Sequence, residues 1–311
     1  MTRKKIEKTA GCEKMKKKNF RFAVIDVIYI MMMTLPVLFG IILKILTNPQ
    51  SEGVSITGAK IYFEIPMPLQ NLFITEAQIN SWLVIISVLG LCLYMTHGLS
   101  VKAKTKRQVL AEWIVEKTES LVNESMGDYF KGYAPFIAAI LALSAFSSLL
   151  SLFGLFPPTS DINIVAGWSI LVFILITYYK LKGGILNYLK GFTEPIFVMA
   201  PLNVLGEIAT PVSMAFRHYG NVLSGSVIAV LVAFALSGLS SLLLGWLPGA
   251  IGEIPFFRIG IPAILSVYFD IFSGCMQAYI FAMLTMLNVS GAFPVEEFEK
   301  RRQKKLLKKK I

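Results

Sequence analysis

PLNVLGEIATPVSMAFRHYGNVLSGSVI, residues 201–228, decides how the rest of this 311-residue chain is read. It opens an apolar run that continues to Leu247, long enough to cross a bilayer, with Arg217 in its middle. An arginine side chain does not lose its proton in a protein. Holding it at membrane depth costs from ~3 to more than ~10 kcal/mol, so it faces a partner, a cavity or a pathway. It is too far from a helix end to snorkel. At ~100° per residue, Thr210, Ser213, Arg217, Asn221 and Ser224 form one narrow stripe. Gly206, Gly220 and Gly225 lie beside it and remove bulk, which lets another helix approach. Serine, threonine and asparagine in such a helix often only hold helices together. A fixed positive charge among them points to an ion route.

Composition agrees. Hydrophobic residues make up 55% and charged residues 16%, with a mean hydropathy of +0.65, too oily for a soluble domain of this size. The net charge of +11 sits mainly in the two tails and short loops. That distribution orients a membrane protein and does not suggest a nucleic-acid partner. Cys12, Cys92 and Cys275 form no disulfide framework, and His97 and His218 are too separate for a metal site. No phosphate-binding glycine loop is present, so no cofactor, metal or nucleotide site is expected.

The expected fold is an all-α polytopic membrane protein with about six membrane helices, the last two long and tilted. Residues 1–21 read as a basic cytoplasmic arm, with Met15 an alternative start. Residues 22–46 read as an additional N-terminal membrane helix, the alternative being a cleaved signal. Residues 47–78, Pro- and Gly-bearing and poor in Lys and Arg, suit an external connector. Ile79–His97 is the second span, followed by a basic stop at Lys102, Lys104, Lys106 and Arg107. Across 108–126, Val109, Leu110, Trp113, Ile114, Leu121 and Val122 fall on one helical face, opposite Glu112, Glu116, Glu119 and Glu124. This reads as an amphipathic surface helix. Tyr133–Phe156 and Asn163–Tyr179 are the third and fourth spans, joined by Pro157–Asp161. The fifth helix starts near Pro195 and ends in the glycine-rich stretch 245–260. The sixth runs from about Ile261 to Asn288, with Asp270, Ser273 and Gln277 on one α-helical face. Residues 293–311 form a basic tail. The positive-inside rule puts both termini in the cytoplasm, in a cell membrane.

Two segments resemble a known family. PVSMAFRHYGNVLSGSVI (211–228) is similar to the signature of subunit a of F-type rotary ATP synthases, in its bacterial form. YFDIFSGCMQAYIFAMLTML (268–287) resembles that family's last helix. The likeness covers roughly residues 60–292, within which 79–292 would be the family domain, and leaves the first membrane helix outside.

The resemblance implies a non-catalytic, ion-translocating stator subunit of the Fo sector. Its partners would be a c-ring, the subunit b peripheral stalk and the other F1Fo subunits, in a lipid bilayer. Arg217 would attract each ionised ring carboxylate and separate two ion half-channels. Asn221 matches the family's asparagine four residues after the arginine, and Gln277 the glutamine placed opposite it. Where the well-known bacterial form has a histidine and a carboxylate in the outer half-channel, this chain has Asp270 and Ser226. Glu207 would line the inner exit path, though its spacing to Arg217 is about four residues shorter than in some members. Ser151 and Gly154 stand where some members carry Asn and Asp. His218 points off the stripe and reads as a packing residue. If Arg217 faces Gln277 across antiparallel helices, Asp270 lies level with Ser224 and within a turn of Ser226. The alternative is a self-contained ion-coupled secondary transporter using Arg217 and Asp270, but the internal repeat usual in such transporters is not found.

Overall fold

The computed structural model describes residues 3–47, 58–68, 71–101, 105–193, 197–244, 257, 260–261, 264–265 and 267–310. Most of the expected glycine-rich break at 245–260, and Lys102 and Lys104, lie outside these. The described chain is helical apart from one small hairpin. Six helices are long and apolar enough to cross a membrane: Val24–Thr47, Glu76–Thr96, Asp128–Phe153, Ile162–Lys182, Phe197–Leu244 and Val267–Gly291. The chain is therefore a multi-pass, all-α membrane protein, as its hydropathy pattern predicts. Its contacts divide it into two compact units, residues 1–49 with 81–117, and residues 50–80 with 118–311.

The first unit pairs α1 (Arg3–Thr47) with most of α2 (Glu76–Thr96) and the start of α3 (Lys106–Met126). The sequence reading separated a basic arm from the first span; a single helix, α1, runs through both. At Gly90 the backbones of α1 and α2 approach closely: a Cβ there would lie 2.9 Å from the Met33 amide nitrogen. Near the same ends, Asp26 Oδ1 meets His97 Nδ1 at 2.8 Å and accepts from Arg107 Nη1 at 2.9 Å. Arg107 also donates to the His97 carbonyl at 2.8 Å. In hydrocarbon an unpaired carboxylate at the start of a span is costly, and these two partners remove most of that cost.

The second unit contains the family-like region's interior. A hairpin, β1 (Ile61–Ile65) and β2 (Leu72–Thr75), occupies part of the stretch expected to be a plain connector. Beyond it come α4 (Ala134–Leu149), α5 (Ile162–Lys182), α6 (Ile185–Thr193), α7 (Ala200–Leu244), a π-helical turn at Val267–Ser273, α8 (Gly274–Gly291) and α9 (Val295–Lys310). Asp161 caps α5, its carboxylate accepting from the Asn163 amide at 2.9 Å. Gly154 stops the α4 end in the left-handed region at φ 70°, a conformation glycine adopts without strain. α6 has no counterpart in the sequence reading.

The α5–α7 and α7–α8 pairs are antiparallel. On α5 and α7, Lys180 meets Glu207 while Trp168 meets His218. Between α7 and the π turn with α8, Gly225 packs against Phe269 of the turn, and His218 against Phe281 and Met214 against Asn288 of α8. The core between them joins Ile137, Val172, Ile176, Met214, Phe281, Ala282, Met286 and Val289. It is closed at the Lys180 end by edge-on rings of Phe130, Tyr133, Tyr179 and Phe293. α7 has 45 residues, about 68 Å of helix against ~30 Å of hydrocarbon, so it is longer than one upright crossing needs.

Candidate functional site

α7 divides its residues by burial. Pro211, Met214, Ala215, His218 and Gly225 are buried, and they recur at the three- and four-residue steps of one helix face. The face carrying Ser213, Arg217 and Ser224 is exposed, with Thr210 and Asn221 half-buried at its margin. Arg217 makes no hydrogen bond or ion pair with any described residue. The nearby hydroxyls are held by their own helix: Thr210 donates to the Gly206 carbonyl at 3.2 Å, Ser224 to Asn221 at 3.1 Å and Ser226 to Leu223 at 2.8 Å. Each keeps free lone pairs on its oxygen, directed off the helix. Of the three glycines beside the stripe, only Gly225 is closely approached within this chain, by Phe269 at 3.0 Å from a built Cβ. Gly206 and Gly220 meet nothing within 4 Å.

His218, one residue on, is 1% exposed. Its Nε2 lies 3.3 Å from Ser144 Oγ, and its ring is edge-on to Trp168 and Phe281 at centroid distances of 6.2 and 5.6 Å. The packing role expected for it is therefore joined by a polar contact that sequence spacing gave no sign of.

Glu207 sits at the Lys180 end. Its Oε1 accepts from Lys180 Nζ at 3.0 Å and from the Tyr188 hydroxyl at 3.2 Å. The carboxylate side chain is 8% exposed and the lysine 34%. The Tyr188 phenol is pushed above its usual range, by burial first and then by the Glu207 charge and hydrogen bond, so it stays a donor. A cavity of ≈ 390 Å³ opens here, lined by Lys180, Asn187, Tyr188, Asn203, Glu207, Thr210 and Glu297 among others. Sequence reading took Lys180 only as a mark of the inner side and did not single out Tyr188. The amphipathic run ILNYLKGFT was the available signal for the helix that carries it.

Asp270 is half-buried within the π turn Val267–Ser273. A π turn holds one more residue than an α turn, so the α-helical arithmetic that put Asp270, Ser273 and Gln277 on one face does not apply across it. Nothing in the local sequence announces the π turn. Gln277 is buried, on the α8 face packed against α4, where Gly274 meets Ser148. The described contacts bring Arg217 to none of Glu207, Asn221, Ser224, Ser226, Asp270 or Gln277. Glu207 is ten residues from Arg217, about 15 Å along the helix. The polar groups thus form three separate sets: the exposed Arg217 stripe, the buried His218 contact, and the Glu207 cavity.

The sequence model of the family described as ATP synthase A chain matches residues 78–290. Curated relatives agree with it. The subunit a of Propionigenium modestum, described as sodium ion specific, is 26% identical over 275 residues, covering 78% of this chain and 88% of that protein. ATP synthase subunit a of Geobacter sulfurreducens is 28% identical, covering 72% and 92%. That of Bacillus pumilus is 31% identical, covering 66% and 86%.

Proposed function

The chain belongs to the ATP synthase A chain family, and from that premise we propose that it supplies two ion half-channels beside a rotating c-ring, with Arg217 as the charge between them. Membership makes it a multi-pass membrane subunit of the Fo stator that works with other ATP synthase subunits. It also displaces the self-contained transporter as the reading of the charged residues. The observation that carries the proposal is Arg217 itself: exposed, in mid-helix, and without a counter-charge among the described residues. A guanidinium so placed needs a carboxylate from elsewhere, and the ring supplies one per subunit in turn. Because arginine stays charged, an ion-loaded and therefore neutral ring site gains nothing from it, and ions cannot cross without turning the ring. Each charge moved is worth ~2.3 kcal/mol per 100 mV.

In this reading the inner half-channel opens through the Glu207 cavity. The outer one passes Asp270 with Ser224 and Ser226, and Asn221 and Gln277 flank the level between the two. The peripheral stalk subunit b holds the chain against the ring's torque. Both termini and 99–132 face the cytoplasm, a placement supported by Arg107, Lys180 and Lys182. Cysteines introduced at 5 and 305 are then expected to resist labelling from outside sealed cells. Reaction at either would reverse the orientation.

The test is Arg217→Ala in the assembled synthase in membrane vesicles. ATP-driven pumping is expected to vanish while the chain remains inserted and assembled. Pumping near the wild-type rate would overturn the proposal.

A further inference from the structure

The hairpin β1–β2 that precedes α2 has two unlike faces. Phe63 is paired with Ile74 and Ile65 with Leu72, and residues opposite each other in an antiparallel pair point to the same side. One face is therefore Phe63, Ile65, Leu72 and Ile74, with no polar side chain. The other carries Glu64 opposite Phe73. The chain leaves the apolar face uncovered: Phe63 is 65% exposed, Leu72 45% and Ile65 41%. A two-stranded hairpin is at best marginal in water, so this face needs a covering from outside the chain.

The base of the hairpin fixes where that covering is found. β2 ends at Thr75 and α2 begins at Glu76, with no residue between them. The Glu76 amide donates to the Lys60 carbonyl at 2.7 Å, which ties β1 to the same point. One turn on, the buried Asn80 donates its side-chain amide to the Phe156 carbonyl at 2.9 Å, in the turn between α4 and α5. The hairpin thus stands where membrane spans end. Its five-residue strand reaches no more than ~17 Å from that base, so it cannot leave the bilayer surface. Depth has a limit as well. Each strand of a two-stranded sheet has an unpaired edge, and open edges do not occur within hydrocarbon. The headgroup boundary, oily on one side and wet on the other, meets both demands. The tip sequence Pro66-Met67-Pro68 suits it, since Met67 is exposed and neither proline has an N–H to leave unpaired. A face with no polar side chain also offers a protein partner nothing to fix a register.

We propose that the β1–β2 hairpin is an interfacial lipid anchor. It lies flat in the headgroup region of the leaflet at the α4–α5 turn, with Phe63, Ile65, Leu72 and Ile74 turned to the acyl chains and Glu64 to water. The partner is the lipid surface and not another subunit. Through Lys60, Glu76 and Asn80 the anchor holds the start of α2 and the α4–α5 turn at one depth.

The test uses the assembled synthase with its native cysteines replaced, in vesicles of phosphatidylethanolamine and phosphatidylglycerol. Spin labels are placed singly at Phe63→Cys, Ile65→Cys, Leu72→Cys and Glu64→Cys. Oxygen concentrates in lipid and a nickel chelate stays in water, so the ratio of their collision rates is expected to be about threefold or more higher at 63, 65 and 72 than at 64. Equal ratios at all four positions would mean a solvated hairpin and overturn the anchor. Labels at 63, 65 and 72 that are immobilised and shielded from both reagents would mean a protein partner and overturn it too. A second variant tests the cause: Phe63→Glu combined with Ile65→Glu is expected to lower the ratio at 72 to that at 64. A ratio at 72 unchanged by the two carboxylates would show that the apolar face does not hold the hairpin in lipid.

Discussion

The face of α7 that carries Arg217 and the face that carries His218 are separated by about 100° of helix and have opposite surroundings. On the first, among the described residues, the cation has no hydrogen-bond or ion-pair partner, the hydroxyls bond to their own backbone, and built Cβ atoms on Gly206 and Gly220 meet nothing within 4 Å. On the second, the imidazole is enclosed by three other helices, and the glycines meet side chains: Gly225 meets Phe269, and Gly274 of α8 meets Ser148. In a bilayer apolar surface gives helices no general reason to associate, so close packing at small residues and polar pairing decide which face turns inward. The Arg217 face is left for a partner outside the chain. The His218 face is committed to the chain's own bundle.

The largest expected effect that sharpens this contrast is at Arg217. Arg217→Lys keeps the charge but not the planar fork, and coupled pumping in vesicles is expected to fall about tenfold or more. Its melting temperature should be unchanged, since no hydrogen bond or ion pair with a described residue is lost. A large drop in melting temperature would mean that the Arg217 face is structural after all.

At the Lys180 end of the bundle, Lys180→Met leaves the nearly buried Glu207 carboxylate with Tyr188 as its donor. A loss of about 1–3 kcal/mol is expected, toward the lower end because Lys180 is 34% exposed. Adding Glu207→Gln should restore most of that stability in a thermal unfolding cycle. Equal instability of the single and double variants would dissolve the pair.

Glycine substitutions compare the two faces directly. Gly274→Ala must push Ser148 away and is expected to cost about 1–3 kcal/mol. Gly220→Ala meets nothing within 4 Å of its new Cβ and is expected to leave stability the same or up to ~1 kcal/mol better. Its pumping should nevertheless fall if a ring helix approaches there. Undiminished pumping by Gly220→Ala would place the ring contact elsewhere on α7.

The smallest effect is a matter of register. The Gly225–Phe269 contact puts Ser224 and Asp270 one residue away on each side, so a cysteine pair at 224 and 270 is expected to crosslink. A pair at 217 and 270 is not. The reverse pattern would make Asp270 a counter-ion for Arg217 and remove it from the outer half-channel.

By itself the sequence determined the class and the number of candidate membrane spans. Long apolar runs have one stable arrangement in lipid, because each helix satisfies its own backbone. An arginine inside such a run is legible as functional because nothing else repays its cost. The helix expected across 108–126 follows from an equally local rule and is observed as α3. Only the tertiary structure decided what polar groups meet across helices. Lys180 and Glu207 are 27 residues apart, Ser144 and His218 are 74 apart, and Asp26 and Arg107 are 81 apart. No periodicity along one segment encodes such pairs, which depend on which helices neighbour each other and at what level. The π turn at Val267–Ser273 belongs to the same group. Within it Phe269 packs against Gly225 of α7, 44 residues away in sequence.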